Sequence, residues 1–206
     1  MNVRRPLKTA TKHNDLFGPG ANIHLNACVG RNGGPADFGR YASGYFIAGA
    51  MLVKCLQERS RDVDLVVYPL VMNYRHGVED ILKQLAATVS FLCTGRKEVC
   101  YTHKLVDNWA IVKRYLPEIE VPEADIDQAE LIIRDLVEID PNGETFRYPI
   151  SSRGDVHLEG TSLINVEVFG KGMASLAESL ESWLIWAAYN LDLKAEMERE
   201  MRNTGY

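Results

Sequence analysis

Four ionisable side chains interrupt an apolar stretch of this chain: Arg75, His76, Glu79 and Asp80, within Tyr68–Leu85. Leu70, Tyr74, Val78, Ile81, Leu82 and Leu85 recur around them at helical spacing, which demands one buried face. On a helix, residues four apart are surface neighbours, so Arg75 meets Glu79 and His76 meets Asp80. Two readings follow: a pair of solvated ion pairs on an ordinary amphipathic helix, or the wall of a polar site. His103 is the second feature. It follows a basic loop carrying Arg96 and Lys97, and Thr102 offers an N-cap for a helix opening at His103. A helix N-terminus favours the neutral, basic form of histidine and attracts phosphate. A neutral histidine beside an arginine suits metal-independent cleavage of RNA. The histidine takes the 2′-OH proton while the arginine stabilises charge on the phosphorane. The third feature is Asp140-Pro-Asn142 through Phe146-Arg147-Tyr148. Asp140 and Asn142 fit an Asx-type turn after a helix. Arg147, in an extended run, points away from both aromatic neighbours. If those neighbours pack inward it faces water; if not, it needs a carboxylate, with Glu79 or Asp140 as candidates.

These residues need elements to hold them. Apolar periodicity predicts five helices: Asp37 to Arg59, about Asp64 to Leu92, His103 to Tyr115, Pro122 to Ile139, and Val166 to about Met201. Tyr41, Tyr45, Ala48, Leu52, Cys55 and Leu56 form the expected stripe of the first. Pro69 predicts a kink or a late start in the second. In the third, Leu105, Trp109, Val112 and Leu116 face inward, as do Ile126, Ala129, Ile133, Leu136 and Val137 in the fourth. Asn165 caps the fifth, whose core side carries Val168, Phe169, Met173, Leu176, Leu180, Trp183, Leu184 and Ala187. Short connections and almost no alternating segments give an all-α, up-and-down bundle of about five helices. An irregular N-terminal arm, residues 1–36, packs on it, with Asn22–Val29 extended at most. Residues 37–201 form the bundle, 202–206 a tail, and a short turn/extended insertion, with Arg153-Gly154-Asp155 at a hairpin tip, precedes the last helix.

At 206 residues, 46% hydrophobic and 25% charged, the chain can bury a core without metals or disulfides. Its net charge of -5 argues against a global field for nucleic acid, so any such binding is local. From Glu118 to Glu144 ten acidic residues face one basic residue, Arg134. The four cysteines form no CxxC pair, and Cys93 and Cys100 lack histidines at zinc-finger spacing, so no metal site is expected. Cys55 and Cys93 read as small core residues. The glycines of the arm lack the pattern of a phosphate loop, and no cofactor is expected. Residues 1–15 lack the apolar core of a signal peptide, and no uncharged apolar run reaches membrane-spanning length. The expected location is the cytoplasm.

Thr102-His103-Lys104-Leu105, after a long helix carrying Tyr74-Arg75-His76, resembles the HEPN superfamily of small α-helical bundles. Four stretches also resemble a set of uncharacterised bacterial proteins, over roughly residues 26–180. They are Asn32-Gly33-Gly34 with Gly44-Tyr45-Phe46, Tyr68 through His76, Thr102 through Leu105, and Asp140-Pro141-Asn142 with Phe146-Arg147-Tyr148-Pro149. The resemblance implies RNA cleavage in phage defence or toxin–antitoxin pairs, a homodimer, and an RNA, nucleotide or antitoxin-like protein partner, with no membrane. The superfamily's arginine and histidine stand four to six residues apart; Arg96 and His103 fit, with six between them. Arg75 is an equally good partner for His103 if the fold brings them together. The catalytic candidates are therefore His103, Arg75, Arg96 and His76, and the substrate-binding candidates Tyr74, Glu79, Lys97, Asp140, Asn142, Arg147 and Tyr148. A metal-independent endoribonuclease, a non-catalytic module binding nucleotide, RNA or protein, and a structural or regulatory bundle all fit these residues. The distances among Arg75, His76, His103 and Arg147 discriminate them.

Overall fold

The structure, a computed structural model, describes residues 15–30, 32–34 and 37–203. Residues 1–14, Arg31, Pro35, Ala36 and 204–206, which include parts of the expected arm and tail, lie outside the described residues. The chain divides into two compact units, Met1–Ala36 and Asp37–Tyr206. In the first, Asn22 caps a short 3-10 turn, Ile23–Leu25, by accepting from the His24 N–H. The segment expected to be extended is therefore partly helical.

The second unit is an all-α bundle of five helices: α1 (Phe38–Glu58), α2 (Val63–Thr94), α3 (Leu105–Tyr115), α4 (Glu123–Ile139) and α5 (Val166–Asn203). Among the described residues the only β pairing is one isolated bridge, Ile150 to Val156, closing the small hairpin. Local chemistry sets the ends. The Asp37 carboxylate accepts from the Arg40 N–H to start α1, and Asn165 accepts from Glu167 and Val168 to start α5. Gly95, at φ 73°, ends α2 in the left-handed conformation. α2 begins ahead of Pro69, so the proline removes one rung of the ladder from inside the helix instead of delaying its start.

α2 is the axis of the unit, packed chiefly against α1, α5 and α3. Leu70, Ile81, Leu82 and Leu85 are fully buried, each contributing roughly 1.5–3 kcal/mol of transfer free energy. α1 and α2 run antiparallel and interlock through glycine. The Tyr74 ring lies over Gly49, where a Cβ would stand 2.6 Å from it, and the Phe46 ring lies over Gly77 at the same spacing. This interlock sets the phase of α1. Its buried stripe is Ala42, Phe46, Gly49 and Leu56, while Tyr41 and Cys55 are exposed, contrary to expectation. Small residues win the contact because two helix backbones approach closely there. Val168 of α5 is likewise exposed, since Phe169 and Met173 take the inward positions.

Between α2 and α3 the chain returns as an extended strap, residues 95–104, lying back along α2. The Glu98 N–H donates to Ser90, Asn108 closes two hydrogen bonds with the backbone of Cys100, and His103 reaches Glu79. α2 and α3 therefore run parallel, whereas α3/α4 and α4/α5 alternate. The strap also shortens the third helix. α3 starts at Leu105, with Lys104 at the cap and no capping side chain, and the Thr102 hydroxyl donates to Asp107 instead.

Candidate functional site

Glu79 is the hub. It lies two turns into the buried half of α2, with a side chain only 3% exposed, and both of its oxygens are in use. Oε2 accepts from Arg75 Nη1 at 2.9 Å; Oε1 accepts from Lys83 Nζ at 2.7 Å and faces His103 Nδ1 at 3.0 Å. Arg75 and Lys83 stand one turn before and after it on the same helix face. Burial by itself would raise the Glu79 pKa. The Lys83 hydrogen bond and charge, the Arg75 charge and the His103 bond outweigh it and hold the carboxyl below its usual range. The neighbouring Asp80 goes the other way: burial, helped by Glu79's negative charge, raises it despite His76 and Lys83 at 3.7 and 3.8 Å.

Arg75 is bonded through all three of its nitrogens. Besides Glu79, it donates from Nε to the Asp140 carbonyl at 3.3 Å and from Nη2 to the His103 carbonyl at 2.5 Å. The Asp140 carboxylate lies 3.8 Å from Nε and accepts from the Glu144 and Thr145 N–H groups, closing the expected Asx-type turn. Gly143, at φ 76°, passes over the guanidinium so closely that a Cβ would sit 3.3 Å from Cζ. Arg75 thus ties α2 to the strap and to the turn after α4.

His103 is the opposite case. Its side chain is 68% exposed, yet Nδ1 is held by a buried carboxylate that can only accept. In the neutral ring this places the hydrogen on Nδ1 and leaves the lone pair on Nε2, the tautomer a general base needs. Because α3 begins two residues later, the orientation comes from Glu79 and not from a helix N-terminus. Beside it the strap exposes Tyr101 and Lys104, whereas Arg96 and Lys97 stand at the strap's other end, next to Thr94 and Phe91 at the close of α2, so the fold does not bring Arg96 to His103. Tyr101 packs 6.2 Å from Phe38, whose ring lies 5.4 Å from Lys83 Nζ.

The remaining candidates fall elsewhere. His76 packs edge-on against Tyr45 on the α1 side. Tyr74 is a core residue, packed under Gly49 and against Phe169, so it contacts no substrate. Arg96 makes no ion pair with a described residue, and Lys97 lies over the Phe91 ring. Asn142 is exposed in the turn. Residues 144–148 turn instead of extending, with Arg147 and Tyr148 N–H groups both donating to Glu144. Phe146 is therefore buried while Arg147 rests on the exposed Tyr148 ring, and neither Glu79 nor Asp140 pairs with it. Two participants, Lys83 and Gly143, were not singled out from sequence. Lys83 was legible, being four residues after Glu79; Gly143 had only its place in the turn. Among the described residues no three histidine, cysteine or acidic side chains are grouped to hold a metal ion, and no described helix is long and apolar enough to cross a membrane.

Comparison with protein-family models, with curated proteins and with solved structures finds no match.

Proposed function

We propose that this chain is a metal-independent endoribonuclease in which His103 is the general base and Glu79 its positioning residue. The observation that carries the reading is an exposed imidazole pinned at Nδ1 by a buried, doubly neutralised carboxylate. The strap supplies the rest: Lys104 for the phosphate beside His103, Tyr101 as a face on which a base can stack, and Arg96 and Lys97 farther along for phosphates of the flanking chain. In the step proposed, His103 Nε2 removes the 2′-OH proton and the oxygen attacks the adjacent phosphorus. The 5′-oxygen leaves and takes a proton from solvent, giving a 2′,3′-cyclic phosphate. Arg75 holds the His103 carbonyl and does not touch the substrate.

The test uses single-stranded RNA with chelator present. The parent is expected to cleave, His103→Ala to lose at least 100-fold in rate, and a 2′-deoxy substitution to block its site. Glu79→Gln is expected to lower kcat more than it changes KM. Cleavage by His103→Ala at the parent rate overturns the reading. A second reading, a non-catalytic RNA- or nucleotide-binding module, draws on the acidic α4 and the net charge of -5. Its signature is saturable binding by the parent without cleavage at any protein concentration.

A further inference from the structure

On the far side of Arg75 from His103 lies a cavity of about 310 Å³ between α2, α4, α5 and the connection 140–164. That size is at the small end of ligand sites, about 300–1,000 Å³. Its walls are apolar, with Val71, Ile132, Leu136, Phe146, Phe169 and Met173 prominent, and its few polar groups are unevenly charged. Arg75 lines it, but its charge faces Glu79 and Asp140, and each of its three nitrogens donates to the protein. Asp140 accepts two N–H groups at Oδ1, and its Oδ2 has only the 3.8 Å approach of Arg75 Nε. Asp135, at the rim, forms no ion pair among the described residues. The lining thus carries two carboxylates, Asp135 and Asp140, against one guanidinium that it shares with Glu79, and this excess of negative charge repels a carboxylate or phosphate and attracts an ammonium.

We propose that this cavity binds a small amphiphilic amine, its apolar body between α4 and α5 and its ammonium at Asp135 and Asp140. The proposal is independent of what His103 does.

Gly172 provides a clean test, because it lines the cavity and a Cβ added there meets nothing within 4 Å. Calorimetry would compare octylammonium with octanol and octanoate, each below its aggregation concentration. One-to-one saturable binding of octylammonium is expected, with octanol at least tenfold weaker and octanoate weaker still. Gly172→Leu should abolish binding and Asp135→Asn should narrow the gap between amine and alcohol, while His103→Ala leaves all three unchanged. Should Gly172→Leu fail to fold, Val168→Trp, built on an exposed lining residue, provides the same block. Absence of saturable binding by all three probes overturns the proposal. So does octanoate binding as tightly as the amine, or amine binding undiminished in the blocked variant.

Discussion

The two sides of Glu79 present one carboxylate in two settings. Toward Arg75 the side chains are buried and each guanidinium nitrogen donates to a different residue, so three elements are locked together. Toward His103 the partner ring is open to solvent and keeps one nitrogen unused. A buried ion pair is a poor source of net stability but a strict one, since losing one member strands the other in the interior. An exposed partner carries no such penalty. The difference teaches that the buried half supplies position, and the exposed half supplies whatever chemistry there is.

The largest effect expected from breaking this contrast is at Arg75. Arg75→Ala leaves the buried Asp140 without a cation and Glu79 with Lys83 as its one buried cation, and should cost about 3–5 kcal/mol, read as a lowered urea midpoint. A variant that melts like the parent would mean Arg75 is not the tie described. Gly143→Ala is next: a side chain at φ 76° pressed on the guanidinium should cost about 1–2 kcal/mol. Thermal melts would register it as a several-degree loss, and an unchanged melting temperature would refute the close approach.

The two adjacent carboxylates sharpen the comparison through pH. Glu79 has a lowered pKa in the fold, so its stabilisation is present above its usual value near 4.5 and lost as pH falls through the lower, folded value. Asp80 is raised by burial, so its contribution is present below its usual value near 3.8 and lost as pH rises through the folded one. Glu79→Gln should therefore destabilise at pH 7 and flatten the acid limb of the stability profile. Asp80→Asn should be neutral or stabilising at pH 7. Equal losses from both would contradict the assigned directions. The smallest effect on stability is expected from His103→Ala, within about ±0.5 kcal/mol as for exposed residues, and it is the variant in which the proposed RNA cleavage should be lost. A marked drop in its melting temperature would move His103 to the architectural side.

Much of the fold was legible because helices announce themselves locally. Five apolar periodicities and the Asn165 cap depend on neighbours within a few residues. Phase was less legible. In α1 the eye follows Tyr41 and Cys55, but contact with α2 is made by Ala42 and Gly49, whose advantage is their smallness against a partner far along the chain. Arg147 was misplaced for a related reason: alternation holds only in an extended backbone, and residues 144–148 turn.

The candidate site divides along the same line. The sequence by itself determined that Arg75 and Glu79 pair, since four residues on a helix make them neighbours, and that Asp140 turns the chain after α4. It also determined that His103 follows a basic, aromatic segment. Only the tertiary structure decided that the pair is buried, that the strap returns along α2, and that His103 and Asp140 come to the same guanidinium. Those outcomes rest on contacts between residues 24 to 65 positions apart. Such contacts are settled by which helix faces bury the most apolar surface together, a competition no local spacing records.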